Sequence, residues 1–300
     1  MDRKLNTRDI TKGFIYTLLG GIFWGFSGAC GQYLFTNYDL DAKYLMIVRT
    51  FGAGTVILLL NFLTQKEKAF EILKDRKDVF ELIMFSIFGL LFCQYSYLEA
   101  INHSNAGTAT VLEYLAPVLI IIYVCLRFLR LPKVSELISI ILATAGTFIL
   151  ATHGDINNMV LSEKGLMWGL LAAVGMALYT MIPVRIIKKH GSMNVLGFGL
   201  LIAGVVIFFL SKGWKMELGL DMKGYIIMSV MVLVGTIMAF SLYLQGVGYL
   251  GGVKASMVAS VEPVAATVFA VIWLGSSFHY MDIIGFICII ATVFILAKSD

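Results

Sequence analysis

Apolar residues run along this chain in blocks close to the ~20 that a helix needs to cross a bilayer, each closed by a polar or glycine-rich break. The pattern predicts ten membrane helices, at 14–34, 44–64, 79–98, 106–128, 134–152, 165–184, 194–211, 223–244, 253–274 and 280–297. Breaks such as 102–105 and 246–252 are short, so successive helices form antiparallel hairpins. The fold class is therefore all-α integral membrane.

Composition fits that pattern and no soluble one. The chain is 59% hydrophobic and only 14% charged, whereas soluble proteins carry about 25% charged residues. The remaining charges set orientation. With the N-terminus inside, 17 of the 23 Lys and Arg residues fall on the inner side and 5 on the outer, and Arg49 is left within the second helix. The positive-inside rule then puts both termini in the cytoplasm, in a multi-pass protein of the inner (cytoplasmic) membrane. Arg3, Lys4, Arg8 and Lys12 before the first block resemble a secretory leader, but the block is long enough to span and is read as a retained helix. The net charge of +4 thus records topology and points to no nucleic-acid partner. Cys30, Cys93, Cys125 and Cys288 lie in apolar blocks with no Cys-x-x-Cys pair, as small buried hydrophobes without a disulfide framework or metal site.

Sliding the chain along itself changes the picture more than any single motif. A shift of 146 residues places Tyr97-Leu98 on Tyr243-Leu244, Pro117-Val118 on Pro263-Val264, and Phe148 to Ala151 on Phe294 to Ala297. A shift of 152 places Lys12-Gly13 on Lys164-Gly165. Helices 1–5 therefore correspond to helices 6–10, and because five is odd the second copy enters the membrane from the opposite side. The predicted organisation is a cytoplasmic segment 1–12, a repeat over 13–152, an external connector 153–164, an inverted repeat over 165–297 and a tail 298–300. Inverted repeats recur in secondary transporters, with the site near the midplane where the repeats meet.

Ionisable residues deep in such helices are expensive, about 2.5–3.5 kcal/mol each, and mark function by default. Arg49 and Glu113 each sit roughly 8–12 Å from the outer end of their helices. They are expected to pair, as a gate, a clamp for a substrate carboxylate or a proton-linked switch, with a static ion pair between helices 2 and 4 as the alternative. Glu262 lies roughly 15 Å deep, near the midplane. That depth suits proton coupling or the binding of an amino group, or else a hydrogen bond to a neighbouring helix. Pro117 and Pro263 each remove a backbone donor and free the carbonyl one turn earlier, at 113 and 259, as hinges, cavity lining or packing bends. Trp24, Tyr95, Tyr97, Tyr114, Tyr179 and Tyr243 offer rings for stacking on planar solutes or for packing. Ser27, Gln94, Gln245, Ser256 and Ser260 offer neutral hydrogen-bonding groups. Glu99 and Lys254, near helix ends, are expected to snorkel toward water.

Phe23-Trp24-Gly25 in the first helix, Arg49 in the second, and Ala116-Pro117-Val118 and Glu262-Pro263-Val264 in the fourth and ninth resemble the EamA-type branch of the drug/metabolite transporter superfamily. The resemblance runs from about residue 13 to 297. It implies an alternating-access carrier, commonly an exporter of amino acids or related metabolites, with a central cavity between the halves. The Gly-Glu-Arg-like turn of many members is replaced here by Leu129 to Pro132 and Leu274 to Ser277. A sugar-phosphate or nucleotide-sugar exchanger would ask for several deep cations, and only Arg49 is deep. An intramembrane enzyme would ask for clustered His, Asp or Cys, yet His103, His153, His190 and His279 fall in breaks. Gly20-x4-Gly25 lacks a following Lys-Ser, so it is no phosphate loop. The expectation is a secondary transporter with no cofactor, a small-molecule substrate, the bilayer as its surroundings and proton coupling, in which one monomer suffices.

Overall fold

The computed structural model describes residues 7–38, 40–155, 159–217, 219–250 and 252–297; the first half of the 1–12 segment and the 298–300 tail lie outside them. Among the described residues all regular structure is helical. Ten helices are long and apolar enough to cross a membrane: α1 Asp9–Tyr38, α2 Ala42–Thr64, α3 Arg76–His103, α4 Ala106–Arg127, α5 Val134–Thr152, α6 Glu163–Met181, α7 Ser192–Leu210, α8 Met222–Leu250, α9 Lys254–Leu274 and α10 Tyr280–Ala297. Several run past their apolar blocks. Helix α3 continues to His103 because Tyr95, Glu99 and His103 satisfy one another along one face, at 2.7 and 3.6 Å. Glu99 is thus held by neighbours, whereas Lys254 is exposed.

Helix starts carry their own stops. Asp75, Asn105, Ser162 and Asp221 accept from backbone N–H groups in the first turns of α3, α4, α6 and α8 at 2.8–3.0 Å, which satisfies donors that a helix leaves free.

The helices pair in a set that closes on itself. Helix α1 packs along α8 and α3 along α6; α2 packs along α7, α5 along α10, and α4 against α9. Exchanging the first five helices with the last five maps this set onto itself. Close approach depends on missing side chains: a Cβ on Gly25 would lie 2.6 Å from the Ala266 nitrogen of α9, and one on Gly175 2.5 Å from Cys93 Cα of α3. Two apolar clusters result. One runs through Leu34, Leu45, Phe85, Leu98 and Leu200, the other through Leu112, Leu150, Phe286 and Ile289.

Four helices are irregular, at matching places. A π-helical turn interrupts α3 at Phe85–Leu91 and α8 at Leu233–Met238. Helix α4 breaks between Glu113 and Ala116, and α9 breaks at Ser260.

The two ends of the bundle are tied differently. At the basic end, which carries the connections around residues 66–75, 128–133 and 182–191, Asp78 is wholly buried. Its carboxylate meets Lys189 Nζ and His190 Nε2 at 2.7 Å and Arg185 at 2.8 Å, and Arg185 also meets Glu81 at 2.7 Å. At the opposite end Tyr38 donates to Asp221 at 2.5 Å, while Gln32 donates to Ser276 at 2.9 Å and accepts from the Ala106 N–H at 2.8 Å. The Tyr38 hydroxyl, and after it the Gly224 N–H, hold the Asp221 carboxyl below its ordinary range. A depressed carboxyl pKa adds stability above the unfolded-state value and loses it as pH falls through the folded-state value. Asp221→Asn is therefore expected to lower the melting temperature in detergent near neutral pH, with the difference from wild type vanishing well below about pH 4. A constant difference at all pH values would contradict the tie.

Candidate functional site: a buried guanidinium and two carboxyl groups

Arg49 is 6% exposed, one turn beyond the buried Leu45 and Met46 that anchor α2. Its Nε donates to Thr236 Oγ1 of α8 at 3.0 Å. The π turn is what brings Thr236 there: its hydroxyl donates five residues back, to the Met231 carbonyl at 3.4 Å, and leaves a lone pair for Arg49. Among the described residues the two terminal guanidinium nitrogens have no protein partner. The predicted Arg49–Glu113 ion pair does not form. Helix α2 packs along α7 and against α3 and α8, so the arginine reaches α8 before α4.

Glu113 closes the first segment of α4, and Cys93 Sγ of α3 donates to its Oε1 at 3.2 Å. Glu262 opens the second segment of α9, where Tyr114 approaches its Oε2 at 3.2 Å. The same hydroxyl lies closer, 3.0 Å, to the Ala259 carbonyl. That carbonyl is the acceptor Pro263 leaves without its helical donor, so α4 repairs the break in α9. Arg49, Glu113 and Glu262 lie within electrostatic reach of one another. Buried charges at such range act strongly because little water screens them.

Aromatic residues Tyr179 and Tyr243 lie within electrostatic reach of these carboxyl groups. Trp24 of α1 meets Phe240 and Tyr243 of α8 with ring centres 4.9 and 5.0 Å apart. Tyr179 of α6 packs on Phe85 at 5.3 Å and lies within electrostatic reach of Glu113 and Tyr243. Neither tyrosine hydroxyl has a hydrogen-bond partner among the described residues. Tyr97 crosses Gly28 and donates to Thr110 at 2.8 Å, since Thr110 spends its own proton on the Ala106 carbonyl at 2.7 Å.

The remaining predicted residues divide. Ser260 donates to the Met257 carbonyl at 2.6 Å and so stabilises the α9 break. Pro117 lies just inside the second segment of α4 and Pro263 just inside that of α9. Ser27, packed on Gly235 of the π turn, and Gln94 are buried with an oxygen lacking a partner among the described residues. Tyr95 turns to Glu99 and to Trp168, away from the cluster. Gln245 and Ser256 are exposed. Thr236 and Cys93 were not singled out in the sequence, because a neutral threonine and a thiol in apolar runs look like packing.

The sequence pattern of the EamA-like transporter family matches this chain twice, over residues 11–152 and 163–298. The chain belongs to the EamA-like transporter family. A relative from Salmonella typhimurium, described as the uncharacterized inner membrane transporter YicL, is 33% identical over 293 residues, 96% of either chain. An uncharacterized transporter of Clostridium kluyveri is 25% identical over 285 residues, 93% of this chain and 91% of that one. A solved crystal structure superposes on 98% of this chain and 99% of its own with TM-score 0.61 at 16% identity, a shared fold. This EamA-like chain is thus a multi-pass membrane transporter of a small solute.

The repair of α9 by Tyr114 is open to test. Tyr114→Phe strands a buried carbonyl and is expected to cost about 1–3 kcal/mol in chemical unfolding in detergent micelles. In a Pro263→Ala background the restored amide serves the Ala259 carbonyl, so the same change should cost little. Equal costs in the two backgrounds would refute the repair.

Proposed function

We propose that this EamA-like transporter moves an amino acid or amino-acid-like aromatic solute across the cytoplasmic membrane, outward, by alternating access. The observation that carries the reading is the charge arrangement. Two terminal guanidinium nitrogens without a protein partner suit a carboxylate, and two carboxyl groups within electrostatic reach suit an ammonium group. The ring cluster of Trp24, Phe240 and Tyr243 suits an apolar or aromatic side chain. The substrate's ammonium group and a proton are alternative partners for the same buried carboxylate, Glu113 or Glu262. Competition for that place couples solute to proton.

The two-fold family match, the exchange-symmetric packing and the paired irregularities support two inverted repeats, at 13–152 and 165–297 on either side of the connector 153–164. Each repeat has its counterpart in the same chain, so a monomer is sufficient. The Lys and Arg bias supports cytoplasmic termini. A phosphorylated substrate is disfavoured because Arg49 is the one cation deep among the described spans.

Counterflow in proteoliposomes, screened with amino acids, amines and nucleobases at two pH values, tests this. Zwitterionic amino acids with apolar or aromatic side chains are expected to exchange with a pH dependence that Glu262→Gln flattens and Glu113→Gln weakens. Equal exchange of amines lacking a carboxylate, or an unchanged pH profile in both variants, would overturn the reading.

A further inference from the structure

Between α3 and α6, at the basic end, the surface of the bundle opens into a groove of about 1040 Å³. Phe80, Met84 and Phe88 of α3 form one wall, and Leu178 and Ile182 the other. Phe80 and Phe88 are 64% and 51% exposed, so the protein leaves these rings uncovered. Cations stand at the mouth. Arg185 is spent on Asp78 and Glu81, but the exposed side chains of Arg76 and Lys77 have no hydrogen bond or ion pair among the described residues.

Length and charge together identify an occupant. From Arg76 to Phe88 the helix rises about 18 Å, against a leaflet of roughly 15 Å of hydrocarbon. The groove thus spans one leaflet, from headgroup level toward the midplane. The place that matches it under the 146-residue shift carries Met222 and Lys223, and Lys223 is engaged over the Tyr33 ring at 5.0 Å. Two unpaired cations above an apolar channel are a feature of the basic end.

We infer that this groove binds one anionic phospholipid of the surrounding bilayer, its acyl chain lying along Phe80 to Phe88 and its phosphate held by Arg76 and Lys77. Basic sites between membrane helices recognise anionic headgroups in this way. The lipid also rests against Arg185, and so braces α3 against the α6–α7 connection at the buried Asp78 cluster.

Native mass spectrometry of the full chain in detergent, titrated with phosphatidylglycerol or phosphatidylcholine, tests the site. Wild type is expected to retain phosphatidylglycerol at about tenfold lower lipid concentration, and Arg76→Gln with Lys77→Gln to bring it to the phosphatidylcholine level. Leu178→Trp, which fills the channel, is expected to weaken retention of both lipids, whereas Lys43→Gln at the opposite end changes nothing. Unchanged melting temperatures exclude misfolding of the variants. Equal retention of both lipids by wild type, or a preference that survives the double substitution, would overturn the inference. A dimer in the same spectra that Leu178→Trp abolishes would also overturn it, by assigning the groove to a second copy.

Discussion

A guanidinium inside hydrocarbon must be answered by protein, water or ligand, and in this transporter the protein answers only part of it. Among the described residues Arg49 has one neutral partner, Thr236, for one of its three nitrogens. Its charge is met at a distance by two carboxyl groups that touch other side chains first, Glu113 through Cys93 and Glu262 through Tyr114. The arrangement costs stability that an apolar residue would not. Much of the irregularity in the bundle serves it: the π turn presents Thr236, and the two helix breaks place the carboxyl groups.

The breaks show symmetry of form with asymmetry of chemistry. Pro117 and Pro263 superpose under the 146-residue shift, and both helices give way just before them. Glu113 and Glu262 fall on alanines of the other copy, so one carboxyl ends a helix segment and the other begins one. Tyr114 joins them, a residue of the α4 break whose hydroxyl lies on the carbonyl and the carboxyl of the α9 break. The two breaks are thereby joined by one hydroxyl, beside the direct packing of α4 against α9. The ends of the bundle differ too, with a buried ionic cluster around Asp78 at one and a tyrosine–aspartate contact with a bridging glutamine at the other.

The ten helices were legible because a bilayer forces long apolar runs, and the charges within them were legible because nothing else explains an Arg or Glu there. Helix ends were less so: Glu99 and His103 look like a boundary, yet their mutual pairing carries α3 onward. Partners were legible least. Pairing Arg49 with Glu113 by depth alone ignored that α2 meets α8 first, and no pattern announces that a π turn will aim Thr236 inward. Asp78 stands close to a helix start among charged neighbours, yet it is buried and met by Arg185, Lys189 and His190 of the α6–α7 connection. Tyr97 and Tyr243 occupy equivalent positions in the repeat, yet one is committed to Thr110 and the other packs at a tilt on Trp24.

The central claim is that Arg49 is held for a ligand rather than for the fold. Thermal unfolding of Arg49→Met beside wild type, in the same detergent and without added solute, tests this most directly. A melting temperature equal to or above that of wild type is expected, since an apolar side chain removes an under-compensated buried charge. A clear fall, matching the ~3–5 kcal/mol lost when a buried ion pair is broken, would make Arg49 a structural strut and contradict the account.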